Sequence, residues 1–337
     1  MRYKNIGRDQ KKKHIIMKIE NTDYDLHIIV PAYNVEKYID ECLKSILQQK
    51  TKYNIFITVV NDGSTDKTGE KLKKYKDIEN MEILEQRNQG LSSARNRGLE
   101  NVRGNYVMFL DSDDILLENS IDSLLDIAIK KNLDIVEGNY CRYINGKLFV
   151  NESYIKDEKI STSDKIAFSG FACMKVLKKE IFSCLRFPIG YSFEDSIFAY
   201  LIYPRKYTGT KINDLVYGYR YNENSITNTV GTKKNVVETW YITEELIKNG
   251  LELYNIKINE SIFLQYLHQV KLNYKRMINC PEKIKIAVFF LSKQMLLKYF
   301  YNFLDTVQNK NDKILCESLL KNDYGKYKFI CKFGDFK

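Results

Sequence analysis

Four short apolar runs, Leu26–Val30, Ile55–Val60, Met81–Leu84 and Val107–Leu110, each end in a polar loop. Helical patterns follow. Between Glu36 and Gln48 the apolar residues Ile39, Cys42, Leu43, Ile46 and Leu47 fall at i, i+3, i+4, i+7 and i+8, one face of an amphipathic helix. Asn34 stands where a helix cap belongs, with Glu36 in the first turn. A second helix is expected through about Tyr75, capped by Asp66, and a third begins within Asn88–Gly98. Glu118 to Lys131 reads as a fourth, with Ile121, Leu124, Leu125, Ala128 and Ile129 on its apolar face. Strand–helix alternation at this spacing predicts a parallel, doubly wound α/β sheet. The polar loops at Tyr33, Asp62, Gly90 and Asp111 all follow strands, so they belong on one rim, where open α/β sheets bind ligands.

The fourth loop carries the most charge. Tyr106-Val-Met-Phe-Leu110 runs straight into Asp111-Ser112-Asp113-Asp114, three carboxylates within four residues. A buried strand tolerates no unpaired charge, so these acids sit at its exit. Two aspartates one residue apart form a hard-oxygen site suited to Mg²⁺ or Mn²⁺ bridging a diphosphate. The plainer reading is a solvated turn, since Asp and Ser are common there.

Further along, Asp134–Tyr140 is an expected strand, and Asn145-Gly146 predicts a type I′ hairpin. Residues 151–165 are polar and unassigned. Ala172–Phe182 is expected to be helical, and a loop from Phe187 leads through Glu194-Asp195 into Ser196–Ile202. Leu215–Tyr221 reads as a strand, followed by a polar loop to about Thr232. Helices then run to about Phe303, with Trp240, Tyr241, Leu246, Leu264, Leu267 and Val270 as expected core positions.

Composition narrows the class. The chain has 337 residues, room for one large α/β domain and a smaller part, and 44% hydrophobic residues, enough for a substantial core. Unbroken apolar runs such as Ile286–Leu291 are too short to span a bilayer. Residues 1–25 are basic and polar with no apolar centre, so no secretory signal is expected there. Seven scattered cysteines without a C-x-x-C pair suit a reduced, cytoplasmic protein. The net charge of +10 reads first as a solvated lysine surface. No basic stretch is interleaved with aromatics as a nucleic-acid platform would be, so nucleic acid is not an expected partner. Phe289, Phe290, Tyr299, Phe300 and Tyr301, set among lysines, would suit peripheral docking on the inner face of an anionic membrane. Core packing or a homodimer interface explains them equally well.

Six motifs then arrive in one order: Val30-Pro-Ala-Tyr-Asn34, Val60-Asn-Asp-Gly-Ser-Thr-Asp66, Asn88-x-Gly90-x-x-x-Ala94-Arg-Asn-x-Gly98, Phe109-Leu-Asp-Ser-Asp-Asp114, Glu194-Asp195, and Tyr219-Arg220 with Ser225-Ile-Thr227. Together, over about residues 26–230, they resemble the family 2 glycosyltransferases of the nucleotide-diphospho-sugar transferase superfamily. The resemblance implies a GT-A fold, with a leader at 1–25, a catalytic domain at 26–230 and a mostly helical region at 231–337 for acceptor, membrane or dimer contacts.

It also implies roles. Pro31, Ala32 and Tyr33 resemble the family's uridine rim, a backbone edge with an aromatic wall. Asp62 would accept from a base edge, where the plainer reading is a turn carboxylate ahead of Gly63. Gly90 would let the backbone approach the nucleotide. Arg95 would reach a phosphate or the aspartates, and a structural ion pair is the competing reading. Asp111-Ser112-Asp113 matches the D-x-D site: Asp111 near the ribose, Ser112 in the donor-binding stretch, Asp113 on the metal. Asp114 has no assigned role. Asp195 would be the base that takes the acceptor proton, with Glu194 binding or orienting the acceptor. Arg220 is a candidate diphosphate contact, or an arginine that stacks on aromatics.

The implied activity is inverting transfer of one sugar, hexosyl or N-acetylhexosaminyl, from a UDP-sugar with Mn²⁺ or Mg²⁺. The acceptor would be a glycan or lipid-linked hydroxyl in bacterial surface polysaccharide synthesis, such as capsule. The processive enzymes' Q-x-x-R-W pattern is absent, since the single tryptophan, Trp240, follows Glu238-Thr239. Two alternatives stand beside this. The strand–Asp-x-Asp run is similar to haloacid-dehalogenase-type phosphatases, although there the motif comes near the start of the chain. A non-catalytic nucleotide-sugar-binding protein would need a broken acidic site.

Overall fold

The computed structural model describes residues 23–150, 168–205, 207–221 and 237–334. Residues 151–167, most of the leader, and the Ser225-Ile-Thr227 part of the last motif lie outside them. Contacts divide the chain into two units: residues 1–168, 173–187 and 208–220, and residues 169–172, 188–207 and 221–337.

The first unit holds a nine-stranded sheet among the described residues. Its strands are β1 (Tyr24–Ala32), β2 (Ile55–Asn61), β3 (Met81–Glu85), β4 (Gly104–Phe109), β5 (Ile115–Leu116), β6 (Ile135–Ile144), β7 (Lys147–Phe149), β8 (Lys175–Lys178) and β9 (Gly209–Arg220). The order is β3-β2-β1-β4-β8-β6-β9-β5, with β7 paired to β6. β1 to β4 run parallel, β8 turns antiparallel against both β4 and β6, and β9 is parallel to β6. Helices α1 (Ile39–Leu47), α2 (Thr68–Leu72), α3 (Leu91–Gly98) and α4 (Ser120–Lys130) connect the strands. Both faces are covered, so β1 and β4 are nearly all apolar, as parallel strands require.

Several sequence expectations shift here. Pro31 does not end the first strand: β1 continues to Ala32, pairing Pro31 with Val60. β1 pairs with β4 only up to Ile29 opposite Phe109, so the side on which Pro31 lacks an N–H faces no strand partner. Asn34 does not cap α1, which begins five residues later. It adopts a left-handed φ of 52°, and its Oδ1 accepts from the Thr65 amide at 2.8 Å. The residues at the helix ends, Leu47 and Ile129, are exposed. Ala172–Phe182 is not a helix: it contains β8 and a 3₁₀ turn, Lys179–Phe182. Asn145 (φ 50°) and Gly146 (φ 78°) make the expected hairpin between β6 and β7.

The second unit carries a π-helical turn, Phe198–Ile202, and helices α5 (Glu238–Glu252), α6 (Glu260–Arg276), α7 (Glu282–Met295), α8 (Lys310–Leu320) and α9 (Tyr324–Phe333). Trp240, Leu246, Leu267 and Val270 are buried as expected, whereas Tyr241 and Leu264 are exposed. The buried face of α6 runs through Ile262, Phe263, Tyr266, Leu267, Val270 and Tyr274, which turns Leu264 outward. Among the described residues, no helix is long and apolar enough to cross a membrane.

Candidate active site

Parallel β1 to β4 put their carboxyl ends on one rim of the first unit, and the loops there are joined by side chains. Asp66 stands one residue before the cap position of α2, which Lys67 takes; its carboxylate accepts from the Thr68 amide, the first of the helix, at 2.9 Å, and from the Glu36 amide at 3.0 Å. Glu36 returns the contact, its carboxylate accepting from the Lys67 amide at 2.9 Å. The loops after β1 and β2 are thus clasped in register, leaving Pro31 and Ala32 buried and Tyr33 exposed at 46%.

Asp62, at the exit of β2, is buried and accepts three hydrogen bonds. They come from Gln86 Nε2 (2.7 Å), the Gln89 amide (2.9 Å) and the Gly90 amide (2.8 Å). Its carboxylate therefore fixes the 86–90 loop. The next residue must be glycine: Gly63 has φ 69°, and a Cβ there would lie 2.7 Å from the Asn88 nitrogen. Gly90, with φ 89° and open space around its Cα, gives way into α3.

The third motif places α3 against the sheet. A Cβ on Gly98 would come within 2.4 Å of Ile29, so only glycine allows this approach. Asn96 holds the Phe187 backbone at both ends, donating to its carbonyl and accepting from its amide, each at 2.8 Å. Phe187 is thereby set against Phe109, with ring centroids 5.2 Å apart. Arg95 lies buried beside both rings, and its guanidinium pairs with Asp111 Oδ1 at 2.8 Å. Arg95 thus reaches the aspartate turn as an ion pair that orients Asp111.

Asp111 and Asp113 are partly exposed on the turn after β4, while Ser112 and Asp114 are buried. The Tyr217 hydroxyl donates to Asp114 at 2.6 Å, and the Arg220 amide donates to its other oxygen at 2.7 Å. Burial pushes the Asp114 carboxyl well above the usual carboxylate range, and Asp113 and Asp111 add to that rise. Arg220 Nε donates to the Asp113 carbonyl at 2.6 Å. Its NH2 pairs with Glu41 at 2.6 Å, and its guanidinium lies over the Tyr38 and Tyr143 rings at 5.0 and 4.6 Å. Tyr143 also donates to Glu41. In this geometry Arg220 stacks on aromatics and braces the acidic turn.

The same carboxylates act on their neighbours. Burial pushes up the Cys42 and Cys173 thiols, and both are raised further by Asp111 and Asp114. A local negative potential of this kind, with two oxygen-donor side chains on one turn, fits a hard divalent cation. Among the described residues, no group of three or more His, Cys, Asp or Glu side chains is arranged to hold a metal by itself. Mg²⁺ and Mn²⁺ sites of one or two carboxylates are typically completed by substrate phosphates and water.

Glu194 and Asp195 belong to the second unit, at the start of the turn leading into Phe198–Ile202. Glu194 is buried and Asp195 half-buried. Phe193, just before them, has φ 81°, a strained conformation for a bulky side chain. It is covered by the Arg276 guanidinium of α6, 4.1 Å from its ring, while the Ser192 amide donates to Glu238 of α5 at 3.2 Å. Asp195 also lies within electrostatic reach of Arg276. Pattern reading missed Gln86, Glu41, Tyr143 and Tyr217, because each sits in an ordinary helix, strand or loop position and gains its partner only through the fold.

A glycosyl transferase family 2 model matches residues 27–195. Glycosyltransferase GlyG of Streptococcus pneumoniae is 30% identical over 296 residues, 80% of this chain and 97% of that protein. Glycosyltransferase GlyA of the same organism is 36% identical over 220 residues, 60% of this chain. That stretch is 32% of GlyA, so the chain spans about a third of that relative. Among solved structures, residues 1–349 of S. aureus TarS in complex with UDP-GlcNAc superpose with a TM-score of 0.58 over 91% of this chain and 90% of that one. At 18% identity this likeness shows the fold, a mostly parallel GT-A-type sheet with flanking helices. With a family model matching residues 27–195 and a relative matched over nearly its whole length, the chain belongs to glycosyl transferase family 2.

Proposed function

We propose that this glycosyltransferase moves a single sugar, with inversion, from a UDP-sugar to a hydroxyl of a glycan or lipid-linked acceptor in bacterial surface polysaccharide synthesis. The observation that carries this reading is the acidic turn Asp111–Asp114, held by Arg95, Tyr217 and Arg220 at the exit of β4. The complex of TarS with UDP-GlcNAc supports a UDP-sugar as donor. Pro31, Ala32 and Tyr33 form the uridine rim, with Asp62 and Gly90 shaping its floor. Asp111 would lie near the ribose, and Asp113 would hold Mn²⁺ or Mg²⁺. A divalent cation there would neutralise the charge that develops on the departing diphosphate. Asp195 takes the acceptor proton as the hydroxyl oxygen bonds to the anomeric carbon and the bond to UDP breaks. Attack from the face opposite the leaving group inverts that carbon. Glu194 orients the acceptor.

Calorimetric binding of UDP, CDP, GDP and dTDP, each with Mn²⁺ and with EDTA, tests the donor reading. Metal-dependent preference for UDP is expected. Preference for another nucleotide overturns the donor class, and no binding to any of them supports a non-catalytic protein. Asp195→Asn is expected to abolish transfer with UDP affinity intact. Asp113→Ala is expected to remove the gain in UDP affinity that metal gives, and equal affinity with and without that substitution would sink the metal assignment.

A further inference from the structure

The acidic turn links two strands of one sheet: β4 ends at Phe109 and β5 begins at Ile115. β5 is two residues long, and its partner is β9, with Ile115 opposite Gly218 and Leu116 opposite Tyr217. The approach is close, since a Cβ on Gly218 would stand 2.6 Å from Ile115 Cγ1. Along its other side β9 is paired to β6. It is therefore a fixed template lying beside the turn.

One hydroxyl on that template reaches both ends of the turn. Tyr217 Oη donates to Asp114 Oδ2 at 2.6 Å, and with its single proton committed there it accepts from the Asp111 amide at 3.4 Å. The Asp114 amide closes the same turn onto the Asp111 carbonyl at 3.0 Å. Tyr217 and Asp114 are 1 and 2% exposed, so solvent does not replace either partner. A carboxyl buried beside two others is unfavourable, and a chain that needed only to leave β4 would do so with a neutral turn residue. What the arrangement secures is the placing of Asp111 and Asp113, whose side chains stay partly exposed while Asp114 is buried against β9.

We propose that Tyr217 is a positioning residue of the donor site: its hydroxyl holds Asp111 and Asp114 in register and so sets where Asp113 stands toward the diphosphate and its cation. This rests on the reading of Asp113 as the metal-holding residue. The full chain is titrated with UDP in a calorimeter, with Mn²⁺ and with EDTA. Tyr217→Phe removes one oxygen and keeps the ring in the core. The ratio of UDP affinity with Mn²⁺ to that with EDTA is expected to fall about tenfold or more, with the affinity in EDTA held within about twofold, because a small displacement of a ligating group is felt only where geometry is strict. Asp114→Asn turns an amide toward one of the two β9 donors and should reproduce that loss. The double variant should lose no more than the worse single one, since both remove the same contact. Tyr53→Phe removes another tyrosine–aspartate bond of 2.6 Å, to Asp126, ahead of β2 at the amino ends of the strands, and should leave both affinities at parental values. Thermal unfolding of each variant checks that it is folded, and Tyr217→Phe, which fills the same space, carries the test where Asp114→Asn does not fold. A parental ratio in Tyr217→Phe overturns the proposal. Equal loss with Mn²⁺ and with EDTA also overturns it, leaving the hydroxyl a structural contact only. A parent protein whose UDP affinity does not respond to Mn²⁺ fails earlier, at the metal reading itself, and takes this proposal with it.

Discussion

At the rim of β1–β4, Asp62 takes three hydrogen bonds and Asp114 two, and Arg95 and Arg220 are each tied to a carboxylate. The C-terminal helices carry ring contacts beside polar pairs such as Lys271–Asp312 at 2.7 Å. Phe289 meets Tyr327 and Tyr324 at 4.9 and 5.4 Å, and Tyr266 stacks on Phe300 at 4.7 Å. Directional polar bonds fix where individual oxygens point, which a donor site needs. Aromatic packing contributes stability from area and tolerates many arrangements of the surface above it. On the proposed reading, carboxylates at the rim serve the fold and the site at once, so their loss should be felt in both.

The widest test of that contrast is in the helices. Phe289→Ala removes a fully buried ring and should cost about 4 kcal/mol in denaturant unfolding, while UDP affinity of the folded protein stays unchanged. Asp62→Ala should cost about 3 kcal/mol, because Gln86, Gln89 and Gly90 lose a shared, charged acceptor that is itself buried. Unlike the phenylalanine change, it should also abolish UDP binding in calorimetry. If UDP binding survived, the rim carboxylates would be structural only.

Arg220→Lys keeps the charge but loses the fork that reaches Glu41 and the Asp113 carbonyl together. A cost of about 2 kcal/mol is expected, with metal-dependent UDP affinity about tenfold weaker and metal-free affinity unchanged. Equal loss with and without metal would detach this brace from the acidic turn.

At neutral pH the effect that vanishes is a pH dependence away from both regions, which grows only on acidification. His27 is buried in β1, its Nε2 hydrogen-bonded to Thr58 at 2.8 Å. Burial, with Arg103 adding, lowers its pKa from 6.5 to about 3. The folded protein keeps it neutral while the unfolded chain protonates below pH 6.5. Stability is therefore fully present above that pH and falls by about 1.4 kcal/mol per unit as the pH drops toward 3. His27→Gln should flatten this part of the unfolding profile, and an unchanged slope would assign the acid sensitivity elsewhere.

The parallel strands, the rim loops and the hairpin at Asn145-Gly146 were legible because their signals are local: apolar runs, a turn dipeptide, Asp and Gly at strand exits. The fold class was legible for the same reason. β8 was not. Ala172–Phe182 carries Lys175 in its middle, which as a helix would place the ammonium outside. In the sheet, Lys175 is fully buried, facing Glu137 in the paired strand at 2.6 Å. Nothing near Lys175 in sequence announces that partner. Glu41, an ordinary acid in the first turn of α1, likewise becomes part of the site only because β9 ends beside it.

The sequence by itself determined that β1–β4 run parallel with their polar loops on one edge, since burial on two faces and one-residue changes in polarity are properties of each segment. It also determined which residues stand at the strand exits. Tertiary structure decided what those residues do for one another: that Asp62 holds a loop, that Arg95 turns to Asp111, and that Arg220 stacks and braces. Partners 16 to 179 residues apart are chosen by where strands end in space, and a buried charge must take whichever opposite group the fold brings within reach.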